Sequence, residues 1–188
     1  IESEYTGDEE YNRHKLMEDG VSPRARPGIR NAIVRTNADE HDESGYTTED
    51  PELVTKMADK RFKKLEALVK DLERYETTKF YGPKEADATV LGWGSTKGPI
   101  REAMKILDEE DLEINYLQIL YLNPLPAERV RRVLESAKKT VVVENNRTSQ
   151  LSSLVRDNLL VDVDHRILKY DGRPFNPGEL SRKIEGVF

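Results

Sequence analysis

Cysteine is absent from the 188 residues. That excludes disulfides, a thiolate nucleophile and any iron–sulfur cluster held by cysteine on this chain, so an electron carrier working with it belongs to another polypeptide. Long apolar runs are also missing: no stretch approaches the roughly 20 residues needed to cross a bilayer. The amino terminus, Ile1-Glu2-Ser3-Glu4, lacks the basic and apolar regions of a signal peptide, which points to a cytoplasmic location. Starting on Ile1 instead of Met suggests a piece of a longer polypeptide. Histidine occurs three times, with no persuasive nucleophile nearby in sequence, so no Ser/His/Asp constellation can be assembled. Basic blocks are absent too. The net charge is −6 with basic and acidic residues interleaved, which makes nucleic acid a poor partner.

What is present is a heavily charged chain, 35% Asp, Glu, Lys and Arg, with 36% hydrophobic residues, enough for a single core. Its length suits one medium α/β domain with an appendage. Residues 1–48 are polar and rich in Pro, Gly, Asp and Glu, without a sustained period, and read as an extended arm. Within it Asn31-Ala32-Ile33-Val34-Arg35-Thr36 has the β-branched character of a short strand. Residues 49–188 read as the folded domain. Thr48-Glu49-Asp50-Pro51 signals a helix start, and Val54, Met57, Ala58, Leu65, Leu68, Leu72 and Tyr75 form one apolar stripe to about Glu76. Tyr81-Gly82-Pro83 then predicts a turn.

Strand-like and helix-like segments alternate from there, as crossover units of a parallel sheet do. Strands are expected over 88–93, 113–120 and 140–144, with helices over 97–108, 127–137 and 149–158. Two short strands around 160–163 and 166–169 precede a terminal helix opening at Pro177. No internal repeat or low-complexity tract occurs.

Four segments are candidates for chemistry. Gly92-Trp93-Gly94-Ser95-Thr96-Lys97-Gly98-Pro99 lies between a strand and a helix, where Gly94, Ser95, Thr96 and Lys97 can hold an anion such as a coenzyme A phosphate. Its spacing is neither the dinucleotide fingerprint nor the phosphate loop, and tight helix–strand packing explains the glycines equally well. Asn145 and Asn146 follow a strand at the sheet edge where ligands usually bind; turn geometry, with Thr148 capping the next helix, is the plainer use. Asp39-Glu40-His41-Asp42-Glu43 surrounds an imidazole with carboxylates, but no second histidine stands at a ligand spacing, so a solvated acidic run is expected rather than a metal. Arg24, in Glu18-Asp19-Gly20-Val21-Ser22-Pro23-Arg24-Ala25-Arg26-Pro27-Gly28, suits a bidentate grip on carboxylate or phosphate, or pairs with acidic neighbours on a surface turn.

In their order and spacing several motifs together resemble the alpha subunit of the 2-oxoacid:ferredoxin oxidoreductases. They are 18–24 with Pro27-Gly28, Asp39-Glu40-His41-Asp42-Glu43-Ser44-Gly45, and Lys56-Met57 with Lys60-Arg61. Further along come 92–99, Val143-Glu144-Asn145-Asn146 with Gln150-Leu151, and Lys169-Tyr170-Asp171-Gly172-Arg173-Pro174-Phe175. The resemblance runs almost end to end. It implies a parent enzyme converting a 2-oxoacid and coenzyme A to acyl-CoA and carbon dioxide while reducing ferredoxin, with thiamine diphosphate, magnesium and a four-iron four-sulfur cluster as cofactors.

In that family the pyrimidine side of the thiamine site carries a Tyr-Pro-Ile-Thr-Pro type motif, absent here, and the diphosphate, magnesium and cluster belong mainly to the beta subunit. The resemblance therefore implies no cofactor and no catalytic residue in this chain. Its implied fold is a three-layer α/β sandwich with a mostly parallel sheet, similar to the transketolase carboxy-terminal domain, preceded by the tail of the pyrimidine-binding domain. Implied partners are the beta subunit, the rest of the alpha subunit and, through the complex, ferredoxin. Arg24, His41, Asn145 and Asn146 are then substrate or interface candidates. Against the subunit reading stand a stand-alone module binding coenzyme A or another phosphate ligand at Gly94–Lys97, and a docking module whose helical faces join subunits.

Overall fold

The computed structural model describes residues 4–7 and 9–188. The amino-terminal Ile1-Glu2-Ser3 read above lies outside them. The chain divides into two compact units, Ile1–Tyr75 and Glu76–Phe188. The boundary thus falls after the long helix, not before it at 48/49, because that helix packs with the arm.

In the first unit the helix, α1, spans Pro51–Leu72. Its cap is Asp50: the Asp50 carboxylate accepts from the backbone N–H of Glu52 and Leu53, both at 2.9 Å, satisfying two orphan donors of the first turn. Of the predicted stripe only Met57 and Leu72 are buried. Leu65 and Leu68 are exposed together with Phe62 and Val69, leaving an open apolar face. Among its described residues the arm contains no strand. Residues 31–36 fail as one because Asn31 is left-handed and Ile33 and Val34 are exposed, without a neighbour to complete a ladder. Isolated bridges, Glu4 with Arg24 and His41 with Thr47, replace it.

The arm is tied to its own helix by close backbone approach. Gly20, at φ +76°, lies where a β-carbon would come within 2.6 Å of both the Lys60 carbonyl oxygen and the Lys64 nitrogen. Only a residue without a side chain fits there.

The second unit is the expected α/β body. Among the described residues its sheet has five strands in the order β1-β3-β2-β4-β5, with β1 at Thr78–Tyr81, β2 at Ala88–Trp93, β3 at Ile114–Ile119, β4 at Thr140–Glu144 and β5 at His165–Leu168. Strands β2 to β5 are parallel and β1 is antiparallel to β3. Helices α2 (Lys97–Asp108), α3 (Ala127–Ser136), α4 (Gln150–Leu159) and α5 (Pro177–Glu185) complete the order. Period-two alternation sorts the strand side chains into two cores. Ala88, Val90, Ile114, Tyr116, Val141 and Val143 pack with Ile100, Ala103 and Leu107 of α2 and Leu180 and Ile184 of α5. Leu91, Leu117, Ile119 and Val142 pack with Val130 and Leu134 of α3 and Leu151, Val155 and Leu159 of α4. Helices on both faces of a mostly parallel sheet make the three layers.

Two local expectations fail. Strand β1 lies where only a turn was predicted, since four residues carry little signal and their pairing, Thr78 with Ile119 through Tyr81 with Tyr116, is distant in sequence. The strand expected over 160–163 is absent. Leu160 caps α4 in the left-handed conformation, which diverts the chain before a ladder can begin.

At Gly92 a β-carbon would stand 2.8 Å from both Ile100 Cδ1 and Thr96 Oγ1. Gly92→Ala is therefore expected to overpack the joint between β2 and α2 and cost about 1–3 kcal/mol. Urea unfolding of the two proteins measures it, and an unchanged midpoint would rule out close packing as the reason for this glycine.

Candidate functional site

The sheet order places β2 between β3 and β4, and the chain leaves β2 toward one side and reaches β4 on the other. That is the topological switch point at which open α/β sheets bind ligands. Both of the predicted motifs in this unit lie there. In register Leu91 faces Val142, so the loop after Trp93 and the loop after Glu144 flank the same crevice.

Thr96 is buried and its hydroxyl donates to the Trp93 carbonyl at 2.8 Å. Ser95 and Gly94 are exposed. Lys97 Nζ sits 5.9 Å from the centroid of the Tyr81 ring, and the Arg101 guanidinium stands 4.8 Å over the same ring. Across the crevice Asn145 is exposed, whereas Asn146 donates to Glu144 Oε2 at 2.7 Å and accepts from the Gln150 N–H at 3.2 Å.

Glu144 is fully buried and was missed as a candidate. Its carboxylate also accepts from the Ser149 hydroxyl at 3.0 Å and from the N–H groups of Leu151 at 2.8 Å and Ser152 at 3.3 Å. The cap of α4 is thus supplied by the end of β4, not by Thr148, and the negative charge meets the positive end of the helix. It also holds Ser149 in its left-handed conformation at φ 54°. The signal was an acid ending an apolar strand, which reads equally well as the strand's polar boundary.

The first unit contains a more pronounced arrangement. A cavity of about 370 Å³ is lined by Arg13, His14, Gly20, Arg24, His41, Met57, Lys60, Arg61 and Lys64, among others. Arg24 and His41, predicted separately, line it together. So do members of three motifs, 18–24, 39–45 and 56–61. His14 and His41 stack with ring centroids 3.9 Å apart. Sequence separation hid this pair, because irregular backbone brings them together: the His14 N–H donates to the Glu43 carbonyl at 2.9 Å, and Lys60 Nζ donates to the His14 carbonyl at 2.7 Å.

The acidic run around His41 does not converge on a metal. Glu40 forms a bidentate pair with Arg61 at 2.8 and 3.2 Å. Asp42 Oδ1 accepts from Ser44 and Tyr46 N–H groups at 2.9 Å, and Glu43 accepts from Leu16 N at 2.6 Å. Among the described residues no group of three His, Cys, Asp or Glu could hold a metal ion.

The cavity is lined by cations, and burial together with their charges shifts its ionisations. Lys60 is lowered from 10.5 to about 8, first by burial and then by the Lys64 and Arg13 charges, with Glu43 opposing and Arg61 adding a little. His14 is held below its ordinary value by burial and then by His41, against the hydrogen bond to the Arg35 carbonyl.

Comparison with known proteins decides the family. Residues 86–180 match the model of the pyruvate:ferredoxin oxidoreductase core domain II. The chain is 34% identical over 178 residues, 95% of its length, to a 2-oxoacid:ferredoxin oxidoreductase alpha subunit of Aeropyrum pernix, and 37% identical over 179 residues to one of Sulfurisphaera tokodaii. The chain belongs to the alpha-subunit family of the 2-oxoacid:ferredoxin oxidoreductases. It spans 27% and 28% of the length of those two relatives. A solved 2-oxoglutarate:ferredoxin oxidoreductase from Magnetococcus marinus, with 2-oxoglutarate, coenzyme A and succinyl-CoA bound, superposes with a TM-score of 0.77 at 31% identity, covering 98% of this chain and 32% of that one.

Two outcomes are expected within this alpha-subunit portion. Glu144→Gln removes the charge at the start of α4 but keeps the shape, and should cost about 1–3 kcal/mol by chemical unfolding; a neutral result would mean the carboxylate is dispensable as a cap. Lys60 holds its proton more weakly folded than unfolded, so between about 8 and 10.5 the unfolded chain carries the extra proton and the Lys60 contribution to stability rises with pH. Unfolding of the wild type and Lys60→Met at several pH values should show the variant's relative advantage shrinking across that window. A constant difference would mean that Lys60 is not strained.

Proposed function

We propose that the chain is the carboxy-terminal portion of the alpha subunit of a cytoplasmic 2-oxoacid:ferredoxin oxidoreductase. The whole enzyme would convert a 2-oxoacid and coenzyme A to acyl-CoA and carbon dioxide, passing two electrons to ferredoxin. The observation that carries this is identity of 34–37% across 95% of the chain to alpha subunits of that name. The bound coenzyme A, 2-oxoglutarate and succinyl-CoA of the Magnetococcus relative support the substrate class.

The residues present do not fit the enzyme's cofactors. The donor set for a four-iron four-sulfur cluster is lacking, since the chain has no cysteine. No Tyr-Pro-Ile-Thr-Pro segment offers the pyrimidine side of a thiamine diphosphate site. We therefore assign thiamine diphosphate, magnesium and the cluster to the remainder of the enzyme, mainly the beta subunit.

This portion would shape and join. Unit Glu76–Phe188 supplies a rigid α/β body. Unit Ile1–Tyr75 supplies the cationic cavity with Arg24 and His41, and the exposed Phe62, Leu65, Leu68 and Val69 of α1, which suit an interface with the beta subunit or the rest of the alpha subunit. In the crevice Gly94, Ser95, Thr96 and Lys97, with Asn145 and Asn146, serve packing and turn geometry rather than holding coenzyme A. No helix among the described residues is long and apolar enough to cross a membrane.

Co-expressing the whole alpha subunit with its beta subunit should give ferredoxin reduction that depends on both a 2-oxoacid and coenzyme A. No such activity would overturn the assignment, as would turnover by residues 1–188 alone. In the assembled enzyme Arg24→Ala should raise the substrate KM or weaken assembly; if both were unchanged, the arm would have no part in either.

A further inference from the structure

We infer that the cavity between the arm and α1 is a binding site for a phosphate dianion, either free or carried as a phosphate ester. The inference stands on the cavity itself and does not depend on the enzyme assignment. Arg13, Arg24, Lys60 and Lys64 line it, and no carboxylate among the described residues forms an ion pair with any of them. The acids at hand are committed elsewhere or too few. Glu40 is spent on Arg61 in a bidentate pair, and Glu43, the one carboxylate whose charge favours Lys60, is bound by the Leu16 N–H.

Cations that repel one another at the wall of a concave cavity are stabilised by an anion there. The volume, about 370 Å³, falls within the roughly 300–1,000 Å³ of ordinary ligand pockets.

The arrangement selects phosphate over carboxylate. A carboxylate is satisfied by one guanidinium fork in a plane. Here the donors approach from three chain segments, Arg13 and Arg24 from two parts of the arm and Lys60 and Lys64 from successive turns of α1. A phosphate dianion offers three oxygens in a tetrahedral array and accepts from several directions at once. Lys60 Nζ is already aimed by its bond to the His14 carbonyl, and ammonium groups keep two further donors for a ligand. The stacked His14 and His41 wall one side, and either ring adds a donor when protonated.

The test is titration of inorganic phosphate into the 188-residue chain and into the whole alpha subunit, followed by calorimetry at pH 7 and at pH 9. Saturable binding is expected that weakens with salt and at the higher pH, as Lys60 loses its proton. Lys60→Met and Arg24→Ala should each weaken it by about tenfold or more, with circular dichroism confirming the fold; Lys64→Gln, at an exposed position that leaves the fold undisturbed, should weaken it as well. Competition against bound phosphate by coenzyme A but not by 3′-dephospho-coenzyme A would identify an ester phosphate as the natural source. Competition by neither would identify free phosphate. Absence of saturation, full binding by the folded Lys60→Met and Arg24→Ala variants, or tighter binding of succinate than of phosphate would each overturn the inference. Because the readout is phosphate binding and not ferredoxin reduction, it can fail while the assignment of the subunit stands.

Discussion

The cavity depends on one backbone contact, the approach of Gly20 to the third and fourth turns of α1. A side chain at that point would meet the carbonyl of Lys60 and the nitrogen of Lys64 at 2.6 Å. With the arm held this close, Arg13 and His14 lie over the cationic face of α1, and the Lys60 ammonium reaches the His14 carbonyl. The contact thus does two things at once. It forms a concave surface lined by residues of both segments, and it draws charges of one sign together. The cost is visible in Lys60, whose proton is held well below the ordinary lysine value because burial and the neighbouring cations outweigh Glu43.

The α/β body follows a different logic, since its residues are placed by the alternation of apolar side chains across the pleat. Glu144 shows how a polar exception is accommodated. A fully buried carboxylate is tolerable only if its lone pairs are occupied and its charge is compensated. Four donors from Asn146, Ser149, Leu151 and Ser152 do the first, and the start of α4 does the second. The same interaction fixes the loop at the carboxyl end of β4, where Asn146 donates to the Glu144 carboxylate and accepts from the Gln150 N–H.

How legible each part was in the sequence follows from this contrast. Strands β2 and β4 and helix α2 were readable to the residue, because burial on both sheet faces writes an unbroken apolar run and burial of one helix face writes a 3.6-residue period. Strand β1 was not readable, since its four residues are defined by a partner nearly forty positions away and not by their own pattern. Arg24 and His41 were each visible as chemistry-bearing residues in polar, turn-rich segments. Their meeting was not visible. Irregular backbone has no period, and the pairing of His14 with His41 is set by single hydrogen bonds such as that from His14 N–H to Glu43. At Gly92 the packing alternative offered by the sequence has a visible cause, since Ile100 presses against it; a glycine needed for that and one needed to admit an anion look alike until the neighbouring side chains are placed.

The electrostatics of the first unit bind its order to its surroundings. Bringing Arg13, Lys60 and Lys64 together opposes the laying of the arm on α1, while the Gly20 contact, the buried Met57 and the Arg61–Glu40 pair favour it. An exposed ion pair contributes little, about 0–1 kcal/mol, so most of the favourable side comes from packing over a short length of helix. Any anion entering the cavity reverses the sign of the repulsive part, because the charges that opposed closure then share a counter-charge. By mass action such a ligand would stabilise this arrangement by an amount that grows with the logarithm of its concentration over its dissociation constant. A protein surface that presented its own carboxylates to these cations would draw on the same free energy.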